Sequence, residues 1–307
     1  MRWTTLVNAL ASPASLKNVL SARAAAAALA RGLRRAGAEA EELPLADGGE
    51  GTAVVLGAEV VRVVLVHDAF GREREAPVRA LPDGTVVVES ADAIPLDPAR
   101  LDVHAASSRG LGELIASVGE CPRLLVCLGG TATMDAGDGL LEVLDSLPAP
   151  TVVLYDTRAT LAQAPRLFGP QKGALLDEVT ELEARFADHH QSFAKVPGSG
   201  AAGGLGAALA SLGAELAAGA AYVLEAIGFR ERASRADLVV TGEGTVDLTT
   251  FKGKATGEAV GICAELGVRC VLFGGRVEEG VEALPLSGDP SRAVADLEDL
   301  AFGLGRA

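Results

Sequence analysis

Residues 41–52 read EELPLADGGEGT, a short strand-like segment that runs into the glycine-rich loop 47–52. Glycine permits the tight turns that other residues avoid, so we interpret this loop as lying at the carboxyl end of a β-strand. Upstream, residues 4–10 predict another strand, and Ser21 is a natural N-cap for an alanine-rich helix that runs to about Gly37. In this order, these elements predict a βαβ unit.

From residue 59 onward the pattern changes. A β-branched run at 60–66 and two further segments at 73–80 and 85–88 are separated by turn signals and predict three antiparallel strands. We therefore expect a second domain to begin here. Further along, a buried-looking strand at 123–128 runs directly into another glycine-rich loop.

Strands and helices alternate again in the rest of the sequence. The remaining predicted strands are 151–155, 237–241 and 269–273, and the remaining predicted helices are 107–117, 175–191, 203–216, 257–265 and one from about Ser291.

The predicted fold class is α/β, with two α/β domains and a cleft between them. A doubly wound, Rossmann-like domain is formed by 1–58 and 228–307, and a mixed α/β domain of 59–227 is inserted into it. Residues 104–140 can also be assigned to the first domain. The 37 glycines, 49% apolar residues and 4% aromatic residues suit many tight strand-to-helix turns around buried sheets.

The charge balance excludes two classes of partner. The chain has 27 Lys and Arg against 41 Asp and Glu, a net charge of −14, which repels nucleic acid and anionic lipid surfaces. It contains no apolar stretch long enough for a membrane span, and its first residues do not resemble a signal peptide. We expect a cytoplasmic monomer or homodimer that acts on a small molecule.

Neither the cysteines nor the histidines have metal-ligand spacing. We expect the cysteines to be buried small apolar residues, and the histidines to lie at the surface or as satisfied core residues. These residues are Cys121, Cys127, Cys263, Cys270, His67, His104, His189 and His190.

Glycine-rich loops follow several predicted strands and could offer backbone amides to an anion, at 47–52, 129–139, 198–206 and 242–247. For any single loop, a tight turn is the alternative. Gly198, Gly200 and Gly203 match the dinucleotide fingerprint, but a polar, proline-ended segment precedes them where a strand is required. No Walker A motif occurs, which excludes a P-loop ATPase.

The charged residues of these loops point to phosphoryl transfer. The chain uses 22 arginines and five lysines, and four of the lysines, Lys17, Lys172, Lys252 and Lys254, stand in loops flanked by glycine or serine. A compact ammonium group suits a transferring phosphoryl group, although chance surface placement is the alternative. The loop acids could hold Mg²⁺ or deprotonate a hydroxyl group, with helix capping as the alternative for each. They are Asp47, Glu50, Glu243 and Asp247.

Seven segments, in one order, resemble the bacterial glycerate kinases that phosphorylate D-glycerate with ATP. They are 15–22 (SLKNVLSA), 45–52 (LADGGEGT), 107–115 (SSRGLGELI), 129–133 (GGTAT), 168–174 (FGPQKGA), 200–206 (GAAGGLG) and 241–244 (TGEG) with Asp247 and 253–254.

The resemblance implies two α/β domains facing a cleft, with ATP and Mg²⁺ required and 2-phosphoglycerate as the common product. From residue chemistry we assign hypothetical roles. Catalysis is assigned to Lys17, with Asp47 or Asp247 as the base, and the metal to Glu243 and Asp247. Substrate binding is assigned to Ser15, Glu50, Ser107, Arg109 and Lys172, and phosphate binding to Gly129, Gly130, Thr131, Gly203, Gly204 and Lys254.

The chain departs from the family pattern at several motif positions. Ala14 replaces an aspartate, Asn18 a glycine, Met134 and Ala159 asparagines, and Thr245 an arginine. These changes leave open a reduced activity, and a catalytically impaired ligand-binding or regulatory protein is the alternative. A further alternative is a nicotinamide-dependent oxidoreductase that binds its cofactor at the dinucleotide fingerprint of residues 198–203.

Overall fold

The computed structural model describes residues 7–306, which form two compact units. The first unit combines the chain up to Asp47 with the chain from Ala220 onward, and the second is Gly48–Gly219. These divisions differ from the sequence-based ones at 58/59 and 227/228, and the segment 104–140 falls in the second unit. Residues 4–6 of the first predicted strand lie outside the described residues.

The strands in chain order are β1 Asn8–Ala11, β2 Glu39–Glu42, β3 Glu59–His67, β4 Glu73–Ala80, β5 Val86–Glu89, β6 Leu124–Leu128, β7 Thr151–Tyr155, β8 Glu215–Ala218, β9 Leu238–Val246, β10 Arg269–Val277 and β11 Leu284–Pro285.

The α-helices in chain order are α1 Ala22–Arg35, α2 Thr52–Val55, α3 Ser90–Ala93, α4 Arg109–Ala116, α5 Asp138–Leu141, α6 Ala164–Phe168, α7 Leu176–Ala187, α8 Ala201–Ser211, α9 Gly219–Ala226, α10 Phe229–Ala233, α11 Ala255–Leu266 and α12 Ala293–Leu304. Short 3₁₀ helices lie at Leu161–Gln163, Pro170–Lys172, Gln191–Phe193 and Pro290–Arg292.

The first unit is built on a parallel sheet with the strand order β11-β10-β9-β1-β2. Successive strand residues face opposite sides, so Ala9 and Ala11 pack into one apolar cluster with α1 and α12, while Leu10 packs into another with α10 and α11. Both faces of the sheet are therefore covered, which confirms the predicted doubly wound arrangement.

Helix α1 begins as predicted. The Ser21 hydroxyl accepts a hydrogen bond from Ala24 N at 3.2 Å, and the helix ends at Arg35, two residues before Gly37. The alanines on its inner side are fully buried, which allows close packing against the sheet.

The second unit has a mixed sheet with the order β3-β4-β5-β6-β7-β8. The three predicted antiparallel strands are confirmed as β3, β4 and β5, and β5 through β8 pair in parallel. The helix predicted at 203–216 corresponds to α8, which begins at Ala201 and ends earlier than predicted, at Ser211. The last two residues of the predicted helix, 215 and 216, belong instead to strand β8.

The predicted loop 242–247 is wrong for most of its length. Residues 242–246 continue strand β9 because β10 extends to Val277 and pairs with them, with Glu243 opposite Gly274. Glycine at 242 is required by this packing, since a Cβ there would lie 2.2 Å from Phe273 O.

Candidate active site

In the first unit, the chain segments that follow β1 and β2 run on beside β9. Ala14 N donates to Gly242 O at 2.8 Å, and Leu45 N donates to Pro13 O at 2.9 Å. Ser15 and Asp47 therefore lie beyond the carboxyl ends of β1 and β2, and Glu243 lies in the carboxyl-terminal half of the neighbouring β9. This end of an open α/β sheet is where ligands bind.

The loop after β1 presents Ser15 and Lys17, both exposed. Its backbone lies against β9, because a Cβ on Gly244 would be 3.2 Å from Lys17 N. Asn18 has a φ of 62°, in the left-handed region that glycine and asparagine tolerate best. The replacement of the family glycine by Asn18 therefore preserves the backbone conformation of this loop.

Glu243 is a buried carboxylate with several donors. Its Oε1 accepts from Thr250 Oγ1 at 2.6 Å and from Lys254 Nζ at 3.2 Å, and its Oε2 accepts from Thr256 Oγ1 at 3.4 Å. Lys254, assigned to phosphate, is thus paired with the acid assigned to the metal.

Asp247 organises a turn. Its Oδ1 accepts from Thr249 N at 2.6 Å, from Thr249 Oγ1 at 2.5 Å and from Thr250 N at 3.1 Å. The Thr249 hydroxyl, together with these amides, holds the pKa of Asp247 below its usual value. A carboxylate stabilised in its charged form is a weak base.

In the second unit, the loop 129–133 leaves the sheet after β6. Ser90 fixes its start, donating to Gly129 O at 3.1 Å and accepting from Gly129 N at 3.2 Å. Its next residues pair with 94–96, since Leu96 N donates to Gly130 O at 2.7 Å and Ala132 N to Ile94 O at 3.1 Å.

Lys172 lies against this loop and is only 4% exposed. Its Nζ donates to Thr133 O at 2.8 Å and to Thr131 Oγ1 at 3.4 Å. Burial lowers the pKa of Lys172 to about 8, and the negative charges of Asp156 and Asp135 oppose this change. A desolvated ammonium group therefore lies at the predicted phosphate loop.

Two acids lie near the same glycines. A Cβ on Gly130 would be 3.6 Å from Glu50 Oε2, and one on Gly129 would be 3.1 Å from Asp156 Oδ2. Both acids are exposed. Glu89, by contrast, is buried; it accepts from Gly51 N at 3.0 Å and Ala53 N at 2.7 Å, and burial raises its pKa. It holds the segment that carries Glu50.

Arg109, assigned to substrate binding, forms ion pairs with acids of its own unit. Its Nε lies 3.1 Å from Glu113 Oε1 and its Nη1 3.3 Å from Glu142 Oε2, on a half-exposed side chain. Ser107 Oγ accepts from Arg109 N at 3.2 Å at the start of α4. Both side chains are thus occupied with partners of their own unit.

The buried Asp135 ties this helix to the glycine-rich loop. Its Oδ2 accepts from Ser108 N and Ser108 Oγ, both at 2.7 Å, and from Gly139 N at 3.2 Å. The side chain of Ser108 therefore binds this carboxylate instead of capping α4.

Gly203 and Gly204 lie behind the loop 129–137. Gly203 has a φ of 74°, and a Cβ there would be 1.9 Å from Thr133 O. Gly203 O accepts from Ala136 N at 3.0 Å, so these residues support the loop through backbone contact. Packing also accounts for Gly198, where a Cβ would lie 2.1 Å from the Tyr155 ring, and for Gly200, where it would lie 2.3 Å from Thr160 O.

Two of the departures from the family pattern are core residues. Met134 is fully buried in an apolar cluster with Leu161 and Phe186, and Ala159 is 6% exposed. Ala14 packs partly into the core of the first unit, and Thr245 is exposed.

The second unit thus brings Glu50, Gly129, Gly130, Thr131 and Lys172 together. Three further residues contact this group and were not predicted from the sequence: Ser90, Asp135 and Asp156. Asp156 directly follows strand β7, so the rule that selected Asp47 would have found it.

Within residues 7–306, no group of three or more His, Cys, Asp or Glu residues is arranged to hold a metal ion. Mg²⁺ at kinase sites usually keeps several waters and takes one or two carboxylates plus phosphate oxygens. The hard oxygen donors of Glu243 and Asp247 fit that mode.

The cysteines and histidines agree with their expected roles. All four cysteines are in the described part of the chain, where none forms a disulfide, and they are buried or half-buried. His67, His104 and His189 contact carboxylates, and His190 contacts Ala136 O. Among the helices of residues 7–306, none combines the length and apolar character needed to cross a membrane.

Comparisons with known proteins identify the family. The sequence profile of the glycerate kinase family matches residues 9–147 and 150–295. The chain is 33% identical over 299 residues to a glycerate kinase of Bacillus subtilis, covering 79% of this chain and 78% of that protein. It is 33% identical over 300 residues to a glycerate 2-kinase of Escherichia coli, and the match covers 79% of this chain and 78% of that protein.

A solved structure is also similar. The crystal structure of a proposed glycerate kinase 2 from Salmonella typhimurium LT2 matches this chain with a TM-score of 0.76 and 26% sequence identity, and the match covers 98% of each chain. The chain therefore belongs to the glycerate kinase family.

Proposed function

We propose that the protein transfers the γ-phosphoryl group of ATP to D-glycerate and forms 2-phosphoglycerate. The observation that carries the proposal is the buried ammonium group of Lys172 at the loop 129–133, in a chain of this family. A positive charge in a dry site interacts strongly with the oxygens of a transferring phosphoryl group.

The roles follow from the local environments. In the second unit, Lys172 and the amides of Gly129, Gly130 and Thr131 bind phosphate oxygens, while Gly203 and Gly204 hold that loop in place. These groups position the phosphoryl group and neutralise its charge, which is most of what such a reaction needs.

In the first unit, Asp47 is the proposed base that accepts the hydroxyl proton of glycerate. We prefer it to Asp247, whose lowered pKa makes that residue a weaker base. Lys17 and Ser15, exposed on the loop after β1, bind anionic oxygens. Glu243 and Asp247 hold Mg²⁺, which when bound neutralises phosphate charge, and Lys254 lies beside Glu243.

The positions of the departures support an active enzyme over a catalytically impaired relative. Met134 and Ala159 are packed in the interior, and the polar contacts of Lys172 are made by Thr131 and Thr133, so the apolar residues at 134 and 159 leave those contacts in place. Asn18 keeps the loop conformation that glycine would give.

The test is ADP formation from MgATP by the purified protein, with and without D-glycerate, with the product identified by phosphorus NMR. We expect glycerate-dependent ADP and a 2-phosphoglycerate signal. ADP formation with a 3-phosphoglycerate signal would correct the product, and the absence of glycerate-dependent ADP would overturn the proposal.

A further inference from the structure

A cavity of about 290 Å³ in the second unit adjoins the loop 129–133. Pro95 and Leu96 form part of its wall. The same two residues bind the loop, because Leu96 N donates to Gly130 O at 2.7 Å and Pro95 forms a β-bridge with Thr131. The cavity and the proposed phosphate loop therefore share a wall.

Arg74 lines this cavity with a side chain that has no partner. It lies on the same side of β4 as the buried Ala76 and Val78. Its Nε is buried and makes no hydrogen bond, and within residues 7–306 its guanidinium group forms no ion pair. A buried donor without an acceptor costs free energy, so a retained one indicates a partner that is not part of the folded chain.

The other charged groups around the cavity are already satisfied. Asp68 accepts from Arg72 Nε at 2.6 Å and from Phe70 N at 2.8 Å. Asp97 Oδ1 accepts from Ala99 N at 2.9 Å. The guanidinium of Arg100 lies 4.1 Å from the centre of the Phe70 ring, a cation–π contact. Among the charged side chains of this wall in the described chain, Arg74 is thus the one that has neither a hydrogen bond nor an ion pair.

We propose that Arg74 binds the carboxylate of the hydroxy acid substrate in this cavity. The inference rests on the proposed function. A guanidinium group matches the two oxygens of a carboxylate or of a phosphate. The cavity is near the lower limit of about 300 Å³ for small-molecule pockets, which suits a three-carbon acid better than a nucleotide. Arg109, the arginine that the sequence suggested, is paired with Glu113 and Glu142.

The experiment compares Arg74→Gln with Arg166→Gln, a surface arginine of the same unit paired with Glu183. We expect Arg74→Gln to raise the KM for D-glycerate by about ten- to a hundred-fold with the KM for ATP unchanged. Arg166→Gln should change neither. Because Arg74 has no partner in the free protein, Arg74→Gln should not lower the Tm, whereas removal of a merely structural arginine would.

Calorimetric titration of D-glycerate into wild type and Arg74→Gln, with and without ADP, separates this inference from the proposed function. Turnover with an unchanged KM for glycerate in Arg74→Gln overturns the inference alone. Binding that requires Arg74 without any turnover supports the inference and overturns the function. The absence of both turnover and binding overturns both.

Two further outcomes would assign the groups differently and overturn the inference. A rise in the KM for ATP alone, with inorganic phosphate binding that depends on Arg74, would assign the cavity to phosphate. A rise in the KM for glycerate on Arg109→Gln and not on Arg74→Gln would assign the carboxylate to Arg109.

Discussion

The glycine-rich segments 129–133 and 242–246 both follow buried strands, yet they have different structures. In the second unit, β7 ends at Tyr155 opposite Leu128, so the chain beyond β6 has no strand beside it and forms a loop. In the first unit, β10 continues to Val277 and keeps 242–246 in the sheet. Whether such a segment stays in the sheet or forms a loop therefore depends on the length of the neighbouring strand and not on the glycine content.

The buried charges of the two segments also differ. Lys172 donates to a carbonyl and a hydroxyl group beside the first segment, and Glu243 in the second segment is paired with Lys254 at 3.2 Å. The second unit thus keeps a buried cation whose hydrogen-bond partners are uncharged, while the first keeps a carboxylate that is paired with a lysine. The predictions below test this contrast.

The largest effect is expected within the first unit. Asp47→Asn should lower kcat by about three orders of magnitude, because the proposed base is lost. Asp247→Asn should lower kcat far less at saturating Mg²⁺ and raise the Mg²⁺ concentration needed for half-maximal rate, since Asp247 is assigned to the metal and not to the proton. Steady-state kinetics of both variants is the measurement, and equal losses would contradict the division of roles.

Lys172→Met should lower kcat by about a hundred-fold, because a preorganised positive group is removed from the phosphoryl site. Lys195→Met, an exposed lysine of the same unit, is the matched control and should leave kcat unchanged. If Lys172→Met keeps its Tm and full turnover, the buried cation has no part in the reaction.

The pH dependence tests the same cation. Because burial lowers the pKa of Lys172 to about 8, kcat/KM should fall as the pH rises above about 8. Between pH 8 and 10.5 the unfolded lysine holds a proton that the folded one has lost, so unfolding is disfavoured as the pH rises. The free energy of unfolding of wild type relative to Lys172→Met should therefore increase by about 3 kcal/mol over that range. Denaturant titrations that show no such rise would place the ammonium group in contact with water.

The smallest effect is expected behind the loop 129–133. Met134→Asn restores the family residue but puts an amide into an apolar cluster, which should destabilise the protein by about 1–3 kcal/mol. We expect no gain in kcat, measured alongside the Tm. A large gain would show that the natural site is impaired by Met134.

Local signals predicted much of the fold. The Ser21 cap and the alanine run predicted α1, and a β-branched run followed by two segments set off by turn signals predicted β3, β4 and β5. Each of these depends on residues close in sequence. The extension of β9 through Glu243 was not predictable in this way, because it requires β10, which comes later in the chain.

Candidate site residues could be selected from the sequence where the residue type is rare in the chain. They could not be selected where the role of a residue depends on its hydrogen-bond and ion-pair partners. Lysine is rare in this chain, which is why Lys172 was singled out from the sequence, and its Nζ donates to Thr131 and Thr133 in the loop 129–133. Its role in the reaction stays a prediction. Arg109 and Arg74 are two of many arginines. Only the structure shows that Arg109 forms ion pairs with two glutamates and that the buried Nε of Arg74 has no hydrogen-bond partner.

The order in which the chain is synthesised bears differently on the two units. The second unit is one continuous stretch, whereas β1 of the first must wait for β9, which begins at Leu238. At about 5–20 residues per second, the interval is on the order of ten seconds or more. The second unit can therefore fold on the ribosome while β1, α1 and β2 lack the rest of their sheet. Transient protection of this amino-terminal segment, for instance by a chaperone, would matter most during that interval.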